Sequence, residues 1–123
     1  MKFVIPIDAV PQGRPRVVKG KAYDPPVCAK FKEDFALLVN SQRTDTNLLT
    51  CPLKVDIAIS RKFNSPTNKK FGDIDNLAKG ILDACNGVIW KDDSQIVDLH
   101  VAKLIADSEF ITLEVFIAWK EWS

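Results

Sequence analysis

Histidine is nearly missing from this sequence: His100 stands alone among 123 residues. A single imidazole disfavours nuclease schemes built on histidine, and alternation along its segment sets it on the face opposite Leu99 and Val101, where a strand histidine is an ordinary surface or packing residue. Cysteine is scarce as well. Cys28, Cys51 and Cys85 are odd in number, widely spaced and set in apolar surroundings, which spells neither a disulfide framework nor a zinc pattern and points to a reducing cytoplasm. Long apolar runs are absent. Met1-Lys2-Phe3-Val4-Ile5-Pro6 is too short for a signal peptide, and nothing approaches the roughly 20 apolar residues that cross a bilayer, so no membrane partner is expected. No glycine-rich loop of the P-loop kind occurs, which weighs against a phosphohydrolase acting on small nucleotides. Neither sign of charge dominates: 17 Lys and Arg against 16 Asp and Glu leave a formal net charge of +1, so no blanket attraction to a polyanion follows.

What is present is an ordinary globular composition, 46% hydrophobic and 27% charged, in a length that fits one domain over residues 1–123. The charges are partitioned along the chain. Arg14, Arg16, Lys19, Arg61, Lys62, Lys69 and Lys70 precede an acidic stretch at 73–98, and they are the candidate DNA-binding residues because a basic loop can meet a phosphate backbone. A solvated basic loop explains the same residues without DNA.

Phe3, Ile5 and Ile7 alternate, which predicts a first strand ended near Pro11. Residues 12–23 read as a loop or edge ribbon, with Lys19-Gly20-Lys21 as its turn and Tyr23 free to stack or pack. Asp24-Pro25-Pro26 opens a helix that runs to about Ser41, with Phe31, Phe35, Leu38 and Val39 on a one-sided stripe that reads as core. Residues 42–51 read as a polar connection without chemistry. Leu53, Val55, Ile57 and Ile59 alternate as a half-buried strand, and residues 61–70 form a basic loop leading into Gly72. Two further strands follow, one through Val97, Leu99, Val101 and Ile105, the other through Ile111, Leu113, Val115, Ile117 and Trp119. Ala106-Asp107-Ser108-Glu109 is expected to join them as a hairpin turn. Trp122 in the tail is a candidate exposed contact. This order predicts an α+β fold, a single mixed β-sheet with two helices packed on one face.

The chemistry concentrates between residues 71 and 98. Apolar residues at 74, 77, 78, 81, 82 and 85 keep helical period; Gly72 breaks the preceding chain, Asp73 can cap the first turn, and Asn86-Gly87 supplies a left-handed stop. Asp75, Lys79 and Asp83 share the polar face, and Asp92 and Asp93 follow after a short turn. If that turn folds back, up to four carboxylates gather near one helix start. Such a cluster needs a cation, and Mg²⁺ takes carboxylate oxygens with water and a substrate phosphate, an arrangement suited to phosphodiester cleavage. The same residues also make a good helix cap and a solvated turn, and spacing alone leaves both readings open.

The run Asp73-Ile-Asp75-Asn76-Leu77-Ala-Lys79, then Leu82-Asp83-Ala84, then Gly87-Val-Ile-Trp90-Lys-Asp92-Asp93-Ser-Gln95-Ile96-Val97-Asp98, resembles the signature of the RusA family of Holliday junction resolvases, endonucleases common in prophages. Gly13-Arg14-Pro15-Arg16-Val17 and Ala22-Tyr23-Asp24-Pro25 resemble the segment many members carry before their first helix. The resemblance implies a RusA-like fold and an endodeoxyribonuclease that resolves four-way DNA junctions by paired cuts in recombination and repair. It implies catalytic Asp73, Asp75, Asp93 and Lys79, with Asp92 beside the third aspartate as a further metal ligand. It also implies Mg²⁺, with Mn²⁺ as a substitute, and a homodimer. A non-catalytic branched-DNA-binding module of prophage origin is the rival expectation.

Overall fold

A computed structural model describes residues 1–12, 16–18, 21–23 and 25–118, the segments 16–18 and 21–23 by their backbone alone. Arg14, Lys19, Asp24, Trp119 and Trp122 lie outside the described residues, as do the side chains of Arg16 and Tyr23. The elements run β1 (Lys2–Ile5), β2 (Arg16–Val18), β3 (Lys21–Tyr23), α1 (Pro26–Ser41), β4 (Leu53–Arg61), α2 (Ile74–Cys85), β5 (Ile96–Ile105) and β6 (Phe110–Ile117), with 3-10 turns at Lys69–Phe71 and Asp93–Gln95 on either side of α2. β2 and β3 pair as a separate antiparallel ribbon, Val18 opposite Lys21, in the place where the sequence predicts a ribbon.

The main sheet has the order β1-β6-β4-β5 and is mixed, because β4 is antiparallel to β6 and parallel to β5. Alternation fixes its buried face. Ile57 sits opposite Leu113, Ile59 opposite Ile111 and Phe3 opposite Leu113, so one side of three strands is a continuous apolar surface. On that side lie Phe31, Phe35 and Val39 of α1 and Leu77 and Ile81 of α2, all in one core cluster with Phe71, Ile89 and Trp90. Each such fully buried side chain contributes about 1.5–3 kcal/mol relative to exposure. The α+β fold with two helices over one mixed sheet is therefore the one that the periodicity predicts. Cys28, Cys51 and Cys85 are free thiols, and burial pushes the Cys85 thiol well up from its usual range, which keeps it a protonated core filler.

Two local expectations are corrected. β1 stops at Ile5, because Pro6 has no N–H for the ladder and the chain bends at once, Ile7 N donating to Ile5 O over 2.8 Å. Residues 106–109 do not close a hairpin. β4 lies between β5 and β6, and the connection crosses its end, Ala106 N donating to Arg61 O at 2.9 Å. Alternation states which face a residue occupies, not which strand lies beside it. β4 takes the inner position because it is covered along its length, down to Ser60 at 2% and Arg61 at 7% exposure.

Candidate active site

The start of α2 is built by the turn before it. Lys69–Phe71 is capped by Asn68, whose Oδ1 accepts from Lys70 N at 3.0 Å, and it drives the Phe71 ring into the core. Two cations from the sheet then hold the peptide that follows. Arg61 donates to Phe71 O, to Ala9 O and, at 2.6 Å, to Asp8 Oδ1; Lys103 Nζ donates to Gly72 O at 3.1 Å. Both also lie over the Phe71 ring, at 5.5 and 5.2 Å from its centroid. Gly72 itself has φ +98°, and an added Cβ would crowd the Leu77 side chain at 3.3 Å, so glycine is required there.

Asp73 follows as the N-cap residue, but its carboxylate makes no cap hydrogen bond, contrary to the expectation from sequence. It is exposed and free to meet something else. Asp75 in the first turn accepts from Asn76 N at 3.0 Å, and with Lys79 one turn on it lines a groove between α2 and β5 together with Ile74, Ala78, Leu82, Leu99 and Val101. The helix stops where the sequence predicts, with Asn86 as C-cap and Gly87 at φ +75°. Residues 8–12 lie against α2. Gln12 N donates to Asn76 O at 3.2 Å, and Gly80 makes room, since a Cβ there would meet Val10 O at 2.3 Å. Gln12, the last residue described before β2, thus lies beside the first turn of the helix. Lys62, Lys69 and Lys70 are exposed on the segment that enters it.

The second acidic pair is fixed by other means. Asp92 caps the Asp93–Gln95 turn in a capping box: its Oδ2 accepts from Ser94 N at 3.0 Å, and Gln95 Oε1 accepts from Asp92 N at 2.9 Å. The bonds from Ser94 hold the Asp92 carboxyl below the usual carboxylate range. Gln95 Nε2 in turn donates to Leu49 O at 2.9 Å and Cys51 O at 3.0 Å, so the segment read from sequence as featureless is the brace of this turn. The carboxylate of Asp93, a half-buried residue, makes no hydrogen bond or ion pair among the described residues.

The turn does not fold back to the helix start. β4 and β5 are parallel, with Leu53 opposite Ile96 and Arg61 opposite Ile105. Asp73 belongs to the Arg61 end, through the bonds to Phe71 and Gly72; Asp93 belongs to the Leu53 end. From Ile96 to Lys103 the strand alone covers about 23 Å at ~3.3 Å per residue. Accordingly, no group of three or more His, Cys, Asp or Glu that could hold a metal ion forms among the described residues. Asp73 and Asp75 remain together, and hard oxygens from one or two carboxylates are what Mg²⁺ takes when water and phosphate fill the rest of its shell.

Of the other candidates, Arg61 is buried with its donors engaged, so it holds the frame rather than facing a solvent-borne phosphate. Its position carried the signal: residue 61 shares the inward parity of Leu53, Val55, Ile57 and Ile59. His100 is 72% exposed at its side chain and lies 3.5 Å from Asp98, a surface residue as expected.

The start of α2 thus presents the uncapped Asp73, Asp75 and the exposed Lys79 on an α+β scaffold, with exposed lysines on the segment that enters it. A family model described as Endodeoxyribonuclease RusA matches residues 6–117, and the chain belongs to that family. It is also 36% identical over 129 aligned positions, 87% of this chain and 89% of the other, to "Uncharacterized protein YqaN" of Bacillus subtilis (strain 168). No helix among the described residues is long and apolar enough to cross a membrane.

Proposed function

We propose that this chain is a Mg²⁺-dependent endodeoxyribonuclease of the cytoplasm that resolves four-way DNA junctions by paired phosphodiester cleavage, the whole chain acting as one domain in a homodimer. The observation that carries this reading is the start of α2, where Asp73 is left uncapped beside Asp75 and Lys79. Asp73 and Asp75 would hold Mg²⁺, which when bound supplies an activated water and charge neutralisation at the scissile phosphate. Lys79 donates to the phosphate oxygens as charge develops on them. Exposed Lys62, Lys69 and Lys70, with Arg14, Arg16 and Lys19, meet the flanking backbone, so binding should weaken steeply with salt.

Asp93 belongs to the same scheme through the second copy. Because it stands at the other end of β5, the Asp93 available to Asp73 and Asp75 is that of the partner subunit, and each dimer then has two composite sites. This accounts for the lack of a three-carboxylate group within the described residues of one copy. That same lack favours a second reading, a non-catalytic branched-DNA-binding module.

A labelled four-way junction and a matched duplex, incubated with protein and Mg²⁺ or EDTA, separate the two. Metal-dependent paired cuts confined to the junction, lost in Asp75→Asn with binding retained, are expected. Mixing Asp73→Asn with Asp93→Asn protein should restore partial cutting, because one composite site in the mixed dimer is intact. Binding without cutting in Mg²⁺ or Mn²⁺ would establish the binding module instead.

A further inference from the structure

Arg61 and Lys103 both reach the peptides that lead into α2, but on different terms. Arg61 is buried, and its charge is met by Asp8 at 2.6 Å. Lys103 is half-buried on β5, opposite Ile59, and its ammonium makes no ion pair among the described residues. Among those residues its hydrogen bonding consists of the one contact to Gly72 O at 3.1 Å, made from beside the Phe71 ring, whose centroid lies 5.2 Å away. Beside the several bonds of Arg61 this is a light brace, and its importance lies in the peptide it holds.

Gly72 O belongs to the peptide that begins Asp73. Gly72, at φ +98° and ψ 158°, has wide conformational freedom, so the orientation of that peptide is set by whatever holds its oxygen. Asp73 follows at φ −74° and ψ 134° with its own carbonyl accepting from Leu77 N at 3.0 Å, which is the backbone of an N-cap residue. An aspartate in that place ordinarily accepts a hydrogen bond from the second or third amide of the helix. Here it does not. The third amide, Asn76 N, goes instead to Asp75 Oδ1 at 3.0 Å, and the Asp73 carboxylate makes no cap bond. The helix start therefore has two competing arrangements, one that spends the Asp73 oxygens on the cap and one that leaves them to a ligand.

We infer that Lys103 is a positioning residue that selects the second arrangement. By holding Gly72 O it fixes the peptide before Asp73 so that the carboxylate stays off the cap and beside Asp75, ready for a divalent cation. This rests on the reading of Asp73 and Asp75 as metal ligands. Outer partners that orient a ligand typically change metal affinity by ~10–100-fold when removed.

The test is NMR of the ¹⁵N-labelled full chain, reading Mg²⁺ titration and amide solvent exchange at the start of α2. In Lys103→Met the Asp73 carboxylate should move onto the cap: exchange of the Asp75 or Asn76 amide slows, and the Mg²⁺ dissociation constant rises by about tenfold or more. Lys103→Gln, neutral and shorter, should behave in the same way, whereas Lys103→Arg, which keeps a long cationic donor, should restore both readouts. A purely structural brace predicts the opposite at the amides, because its loss would fray the helix start and speed their exchange. Amides that exchange at the wild-type rate or faster, or an unchanged Mg²⁺ affinity, in Lys103→Met and Lys103→Gln would overturn the inference. A wild type that takes up no Mg²⁺ at these residues removes the metal reading, and the exchange arm alone then decides whether Lys103 holds Asp73 off the cap.

Discussion

The two ends of the β4–β5 pair each present aspartates, and they are held by opposite means. At the Arg61 end the frame is cationic and buried: Arg61 and Lys103 reach from the sheet to main-chain oxygens of Phe71 and Gly72, and the Arg61 side chain also ties in Asp8 and Ala9. At the Leu53 end the frame is neutral and near the surface, with Gln95 spanning Leu49 and Cys51 and Asp92 closing its own turn. In both, the braced groups are not those proposed for chemistry. The carboxylates of Asp73 and Asp93 are left without cap or partner among the described residues, which keeps their oxygens available to a cation. The difference in burial sets how costly each frame is to break.

The largest effect is expected at the cationic end. Arg61→Met leaves two buried carbonyls and an aspartate without their donor, and should lower unfolding free energy by about 3–5 kcal/mol, read from urea midpoints at constant slope. A change under ~1 kcal/mol would show that this end is not held by Arg61. Gly80→Ala tests the same end through the chain lying on it: with Val10 O at 2.3 Å from the new Cβ, backbone must move, and a loss of about 1–3 kcal/mol is expected in thermal unfolding.

The neutral end should separate stability from chemistry. Gln95→Ala removes three hydrogen bonds, near the surface, and should cost only about 1–2 kcal/mol. If the turn positions Asp93 for cleavage, single-turnover junction cutting should nonetheless fall by about tenfold or more with junction binding unchanged. Equal losses in binding and cutting would remove the positioning role.

The smallest effect belongs to Asp92. Its carboxyl is held below the usual range, so its contribution is present above the ordinary aspartate value and is lost as pH falls through the lowered folded value. The stability difference between wild type and Asp92→Ala should therefore be constant near neutrality and shrink in that acid window, measured by denaturation across pH. Cutting by Asp92→Ala should stay near wild type while Asp93→Ala is inactive. The reverse order would exchange the two assignments.

How much of this was legible depended on the range of the interaction. Helix α2, its glycine break and its Gly87 stop follow from period and from backbone sterics within a few residues, and they came through as read. So did the buried faces of β1, β4 and β6, because alternation is local; the apolar face of β5 was legible too, but it stays largely exposed, Val97 at 51% and Leu99 at 42%. The hairpin expected at 106–109 failed because strand neighbours are chosen by burial of the whole sheet, and β4 outcompeted β6 for the place beside β5. The role of Gln95 was not legible, since Leu49 and Cys51 lie more than 40 residues away. Arg61 was visible in its parity, but a basic neighbour, Lys62, made it resemble part of a solvated loop.

The sequence by itself determined which residues are the candidates for the chemistry, because family-defining side chains and helical spacing are properties of the chain. It also determined that one face of each strand and helix is apolar. Only the tertiary structure decided where those residues stand relative to one another. The parallel pairing of β4 with β5 separates Asp93 from Asp73 by the length of a strand, and no local spacing could state that, since the pairing is decided by which strands share the core.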